Sequence, residues 1–149
     1  MVVELIELHV RFVNKCHNHD LNCFFEIPIL GQLRSMYKRP GFYESLDHRV
    51  RHSQRYFTDI QDGSVYKSLP EDFLKHPHRI TSTWNSDGVL LFKSSKFNFW
   101  PLFLMMNELP YRLRVKKENM ILAGLWFGPM NPPPDLFLSV FQDDLKKTL

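Results

Sequence analysis

The chain has 149 residues, 44% of them apolar and thirteen of them phenylalanine, with a net charge of +3. That is the length and composition of one ordinary folded domain, not of a disordered tail. No apolar run reaches the roughly 20 residues a membrane-spanning helix needs, because the richest, Phe97 to Met106, already holds Asn98 and Pro101. The start, Met1-Val2-Val3-Glu4-Leu5-Ile6-Glu7, is acidic where a secretory signal is basic, so a nuclear or cytoplasmic protein is expected, neither secreted nor partnered with a membrane.

From Leu5 to Val13 the apolar residues nearly alternate, which reads as a strand. Leu30, Leu33, Met36 and Tyr37 recur at helical spacing, and Pro40-Gly41 then stops the helix. The polar stretch from there to His76, with a turn at Asp62-Gly63, reads as a connector. The texture changes near Pro77, so residues 1–76 are taken as an irregular N-terminal cysteine and basic linker region and residues 77–149 as the folded domain. Ile80-Thr81-Ser82-Thr83-Trp84 predicts a strand ending at Asn85-Ser86-Asp87-Gly88, with further strands within Phe97 to Met106 and Met120 to Phe127. Asn131-Pro132-Pro133-Pro134-Asp135 then opens a helix with Leu138, Phe141, Leu145 and Leu149 on one face. The expected class is α/β or α+β, with three antiparallel strands followed by a helix, and Phe97, Phe99, Leu104, Ile121, Leu125, Phe137 and Phe141 are the predicted core. A ribonuclease H-like fold begins in this order, with an acid at the end of its first strand.

Asp87 holds that place, and Gly88 after it leaves the carboxylate uncrowded. A hard cation such as Mg²⁺ takes oxygen ligands, but a catalytic site needs two or three carboxylates converging from different elements, and an Asp before Gly is also a common turn residue. Cys16, His17 or His19, and Cys23 bring together the donors zinc prefers. They lack a fourth ligand and a second cysteine pair, so reduced, solvated thiols without tight zinc are expected. Arg34, Lys38, Arg39, Arg49, Arg51 and Arg55 outnumber Glu44 and Asp47 over the same stretch, which is where DNA phosphate would bind, weakly and without sequence preference. The alternative is a solvated basic loop. No nucleotide-binding glycine loop, serine-nucleophile elbow or zinc-protease motif occurs.

From about His52 onward the chain resembles the transposases of the CACTA, or En/Spm, superfamily in their animal form. The residues that carry the likeness are Asn85-Ser86-Asp87-Gly88-Val89, Phe92-Lys93-Ser94-Ser95-Lys96, Trp100-Pro101-Leu102, Asn107-Glu108-Leu109-Pro110-Tyr111-Arg112 and Lys117 to Gly128. Upstream, Asp59-Ile60 with Asp62-Gly63 looks like the family's approach to its catalytic core, and Phe24-Phe25-Glu26-Ile27-Pro28 like its linker after a cysteine-bearing region. The resemblance implies a DDE-type nuclease in which three acids hold two Mg²⁺ or Mn²⁺ ions that drive strand cleavage and transfer, with Asp87 as the first acid. The other two come in the family from a later strand and helix. Asp143 and Asp144 are too early to replace them, and Glu108 belongs to a motif the family uses for structure. A truncated transposase inactive by itself is therefore expected, with a non-catalytic DNA- or protein-binding module of the same origin as the alternative.

Overall fold

The apolar runs Phe97–Met106 and Met120–Phe127 become the two longest strands, and the sheet is built around them. The computed structural model describes residues 22–46, 58–76, 79–90, 96–135 and 142, and the main chain of 9–12. In chain order its elements are β1 (His9–Phe12), β2 (Cys23–Glu26), α1 (Ile29–Tyr37), α2 (Phe42–Ser45), a 3₁₀ turn (Ile60–Asp62), α3 (Ser64–Lys67) and α4 (Glu71–Lys75). There follow β3 (Ser82–Ser86), β4 (Val89–Leu90), β5 (Asn98–Met106), α5 (Tyr111–Arg114), a second 3₁₀ turn (Lys117–Asn119) and β6 (Met120–Gly128). The fold is α+β, its antiparallel sheet ordered β1-β2-β6-β5-β3 with β4 also on β5. No helix among the described residues is long and apolar enough to cross a membrane.

Residues 1–76, read as an irregular linker region with one strand near its start and one short helix, contribute two strands and four short helices among the described residues. Cys23-Phe24-Phe25-Glu26, expected as linker, is β2, lying between β1 and β6 with Phe24 opposite Trp126 and Glu26 opposite Gly124. The strand read from Ile80 starts two residues later, at Ser82. Of the predicted C-terminal helix, Pro134, Asp135 and Gln142 are helical, and the rest, including Phe137 and Phe141, lies outside the described residues.

The chain forms two compact units: Met1–Arg34 with Trp84–Leu104 and Ile121–Leu149, and Ser35–Thr83 with Met105–Met120. In the first, Phe24, Leu102, Leu104, Ile121 and Trp126 are buried. Phe97 and Phe99, expected in this core, are half-buried and pack on Phe127 with ring centroids 5.0 and 4.9 Å apart, and Leu125 is half-buried too. The Phe24 ring lies where any side chain at position 124 would stand, so Gly124 is the residue that lets β2 and β6 close.

Beyond Glu26 the ladder continues by other means. The Ile27 N–H donates to Ala123 O at 3.1 Å. The Gln32 amide then serves as a peptide group, its Nε2 donating to Leu122 O at 2.9 Å and its Oε1 accepting from the Leu122 N–H at 3.0 Å. Two successive carbonyls, Leu122 and Ala123, thus turn to one side of β6, the mark of a β-bulge. Burial agrees: buried positions alternate as Gly128, Trp126, Gly124 and then step by one to Ala123 and Ile121.

In the second unit Met36, Phe42, Leu46, Met106 and Leu109 are buried. Pro40 and Gly41 end α1 as predicted, and Gly41 enters α2 at φ +76°, a left-handed conformation that favours glycine.

Candidate functional site

Asp87 and Gly88 interrupt the strand that would otherwise run from β3 into β4. Val89 pairs with Phe99 and Leu90 with Asn98; carried two residues further, this register sets Gly88 opposite Trp100 and Asp87 opposite Pro101. Proline has no N–H to give the ladder, so pairing lapses at the position where Asp87 stands. The Trp100 indole covers Gly88 so closely that a Cβ there would lie 2.7 Å from the ring. Asp87 itself is exposed. Strand end, glycine and carboxylate therefore fall as the sequence led us to expect.

The described residues hold no group of three or more His, Cys, Asp or Glu side chains able to take a metal ion, around Asp87 or elsewhere. A two-ion site needs carboxylates on both sides of the ion pair. The described residues do not fit one.

The described carboxylates that are most elaborately bonded lie in the second unit, where two motifs 40 to 55 residues apart meet. Glu108 is 1% exposed. Its carboxylate accepts the Thr81 N–H at 2.9 Å on each oxygen, and on Oε1 also the Thr81 hydroxyl at 2.9 Å and the Tyr66 hydroxyl at 3.3 Å. Beside it the Asn107 Nδ2 donates to Thr81 Oγ1 at 3.1 Å, and Asn107 Oδ1 accepts from the Thr83 hydroxyl at 2.8 Å.

Arg114, 3% exposed, meets Asp59 fork to fork at 2.6 and 2.9 Å, and its Nη2 donates further to the carbonyls of Asn107 and Leu109, each at 2.8 Å. Gln61 Nε2 donates to the same Asn107 carbonyl at 2.7 Å. Asp62 closes a capping box, its Oδ2 accepting from the Thr58 N–H, the Thr58 hydroxyl and the Asp59 N–H at 2.7 to 3.0 Å. Asp62 and Glu108 are buried, and Asp59 faces Arg114, so these acids hold main chain and guanidinium in place; this fits the structural role read for the Asn107-Glu108 motif. Arg114 was not singled out in the sequence, and its only local signal is a basic residue on a short helix after proline.

The cationic candidates separate. Arg34 lies on α1 and Lys38 just after it, both exposed. Arg39 is half-buried: its Nη2 donates to Asn119 Oδ1 at 2.7 Å and its guanidinium sits 4.8 Å from the Phe42 ring centroid. Arg49, Arg51 and Arg55 lie outside the described residues, as do Cys16 and His19. Cys23 is a free thiol, but it is buried within β2 opposite Phe127 and not in a ligand loop. No protein-family model, curated protein or solved structure matches the chain.

Proposed function

We propose that the chain is the leading part of the ribonuclease H-like catalytic domain of a DDE-type DNA transposase of the CACTA kind, and that this stretch does not cut DNA alone. The ancestral activity is strand cleavage and transfer dependent on Mg²⁺ or Mn²⁺, carried out in the nucleus. One observation carries the reading: β3 with β4, then β5, then β6 lie side by side in one antiparallel sheet, and Asp87 stands where the first strand breaks. That is the order in which such a domain begins and the place its first acid takes. The lack of independent cleavage follows from ligand number, since one carboxylate leaves Mg²⁺ held mostly by water and neither the attacking nor the leaving oxygen organised.

The non-catalytic binding-module reading has its own support. Asp59, Asp62 and Glu108 are committed to internal bonds, while Arg34 and Lys38 face solvent.

The test is a supercoiled-plasmid nicking assay with Mg²⁺ or Mn²⁺, run beside Asp87→Ala. No nicking by either protein is expected. Metal-dependent cleavage lost in Asp87→Ala would show a working nuclease and overturn the inactive-fragment reading.

A further inference from the structure

The predicted DNA contacts were confined to Arg34–Arg55, yet the second unit ties another basic segment to Arg39 within that stretch. Tyr111-Arg112-Leu113-Arg114-Val115-Lys116-Lys117 carries four cations. Arg114 is turned inward onto Asp59, and Arg112, Lys116 and Lys117 are exposed. Tyr111, 66% exposed, is beside them, and Glu118 is the acid at the segment's end, 3.9 Å from Lys116.

Asn119 ties this segment to the turn after α1. Its side chain accepts from Arg39 at 2.7 Å and donates to Leu113 O at 2.8 Å, and its N–H donates to Lys116 O at 2.9 Å. Lys38, exposed next to Arg39, is thereby carried to the Lys116–Lys117 end although nearly 80 residues separate them. Three carboxylates that would offset these charges, Asp59, Asp62 and Glu108, are spent inside the unit. Arg114 is the one described cation of the unit that is buried with them, so the exposed charge among its described residues is more positive than their composition.

The geometry points to a phosphodiester-binding surface formed by Lys38, Arg112, Lys116 and Lys117 with Tyr111, taking the backbone of duplex DNA without reading its sequence. The inference rests on the DNA-directed reading of the chain and adds to it a second basic segment. Lys and Arg held on short, bonded turns neutralise phosphates and release counterions, which fixes affinity without reading bases.

The experiment is fluorescence-anisotropy titration of a labelled 25-base-pair duplex with the full chain, over a salt series and without divalent metal. Replacing Arg112, Lys116 and Lys117 together by Gln should flatten the slope of log K against log salt by roughly 2 to 3, at about 0.9 per phosphate contact. Lys116→Gln/Lys117→Gln, the fallback should the triple variant fail to fold, should lose about two thirds of that. A charge-matched control, Lys67→Gln/Lys75→Gln/Arg79→Gln, should leave the slope near wild type.

Equal flattening by the control would make this a net-charge effect and overturn the surface. An unchanged slope in a folded triple variant, with wild-type binding intact, would overturn it and leave DNA binding elsewhere on the chain. Absence of any wild-type binding at low salt would overturn both. Competition by poly-glutamate as effective as that by unlabelled duplex would assign the surface to an acidic protein instead.

Discussion

Arg114 shows how one side chain sets the terms for its surroundings. A guanidinium taken out of water loses several kcal/mol of hydration, and Asp59 with two carbonyls returns that only because all three are in place. Arg114→Met should therefore destabilise by about 3–5 kcal/mol in urea unfolding, since it strands the Asp59 carboxylate and frees the carbonyls of Asn107 and Leu109. Asp59→Leu/Arg114→Met should recover a good part of the loss, because the stranded charge is gone. A double variant no more stable than the single would mean that the carbonyl contacts, or the cap that Asp59 gives the Ile60 N–H at 2.7 Å, carry the cost and not the ion pair. Neither partner was marked as paired in the sequence, because 55 residues separate them and nothing local distinguishes this arginine from Arg112, which is exposed.

Among elements, legibility tracked how local the deciding force was. α1 was readable because its apolar spacing lies within the segment itself and its Pro-Gly stop follows within four residues. β5 and β6 were readable as long apolar runs bounded by turn residues. β2 was not: four residues ahead of a proline carry little strand signal, and what makes Cys23–Glu26 a strand is β6, about 100 residues away. β3 was shifted for a related reason. The Thr81 N–H is taken by Glu108, so the strand begins after it, and β5 keeps Asn85 and Ser86 in extended form until Pro101 lets the pairing lapse at Asp87. The turn read from Asn85 thus narrowed to Asp87-Gly88, so the break after the strand was legible in the sequence, while the partners of Glu108 and Arg114 were not. The Gln32 contact was equally hidden, and it can be tested. Gln32→Leu removes both bonds to Leu122 and should cost about 1–3 kcal/mol for the part-buried peptide group left unpaired. Hydrogen exchange should show the Leu122 amide losing protection while Phe127, at the far end of β6, keeps it.

At the scale of the molecule, the sheet takes its strands from both sides of Pro77, the point at which the texture of the sequence divides. β6 would lose β2 as its neighbour, and the Trp126 face would lose the Phe24 ring, in a chain cut there. Burying a Phe side chain contributes about 1.5–3 kcal/mol, a large share of the stability of a small domain. Residues 77–149 expressed alone should show no cooperative thermal transition, and adding residues 1–76 as a separate chain should restore part of it. A sharp transition in the fragment by itself would show that the first two strands are dispensable.

The pairing of Phe24 with Trp126 also bears on how the protein is made. Phe24 and Phe25 leave the ribosome well before the strand that covers them, which is translated roughly 100 residues later and at 5–20 residues per second means a wait of about 5–20 s. For that interval an apolar strand edge is exposed in the growing chain, and closing so long a loop is a slow step even once β6 is present. Synthesis of this protein therefore passes through an interval, set by the order of its strands, in which that edge is open to wrong pairing, and slowing translation ahead of residue 120 lengthens it.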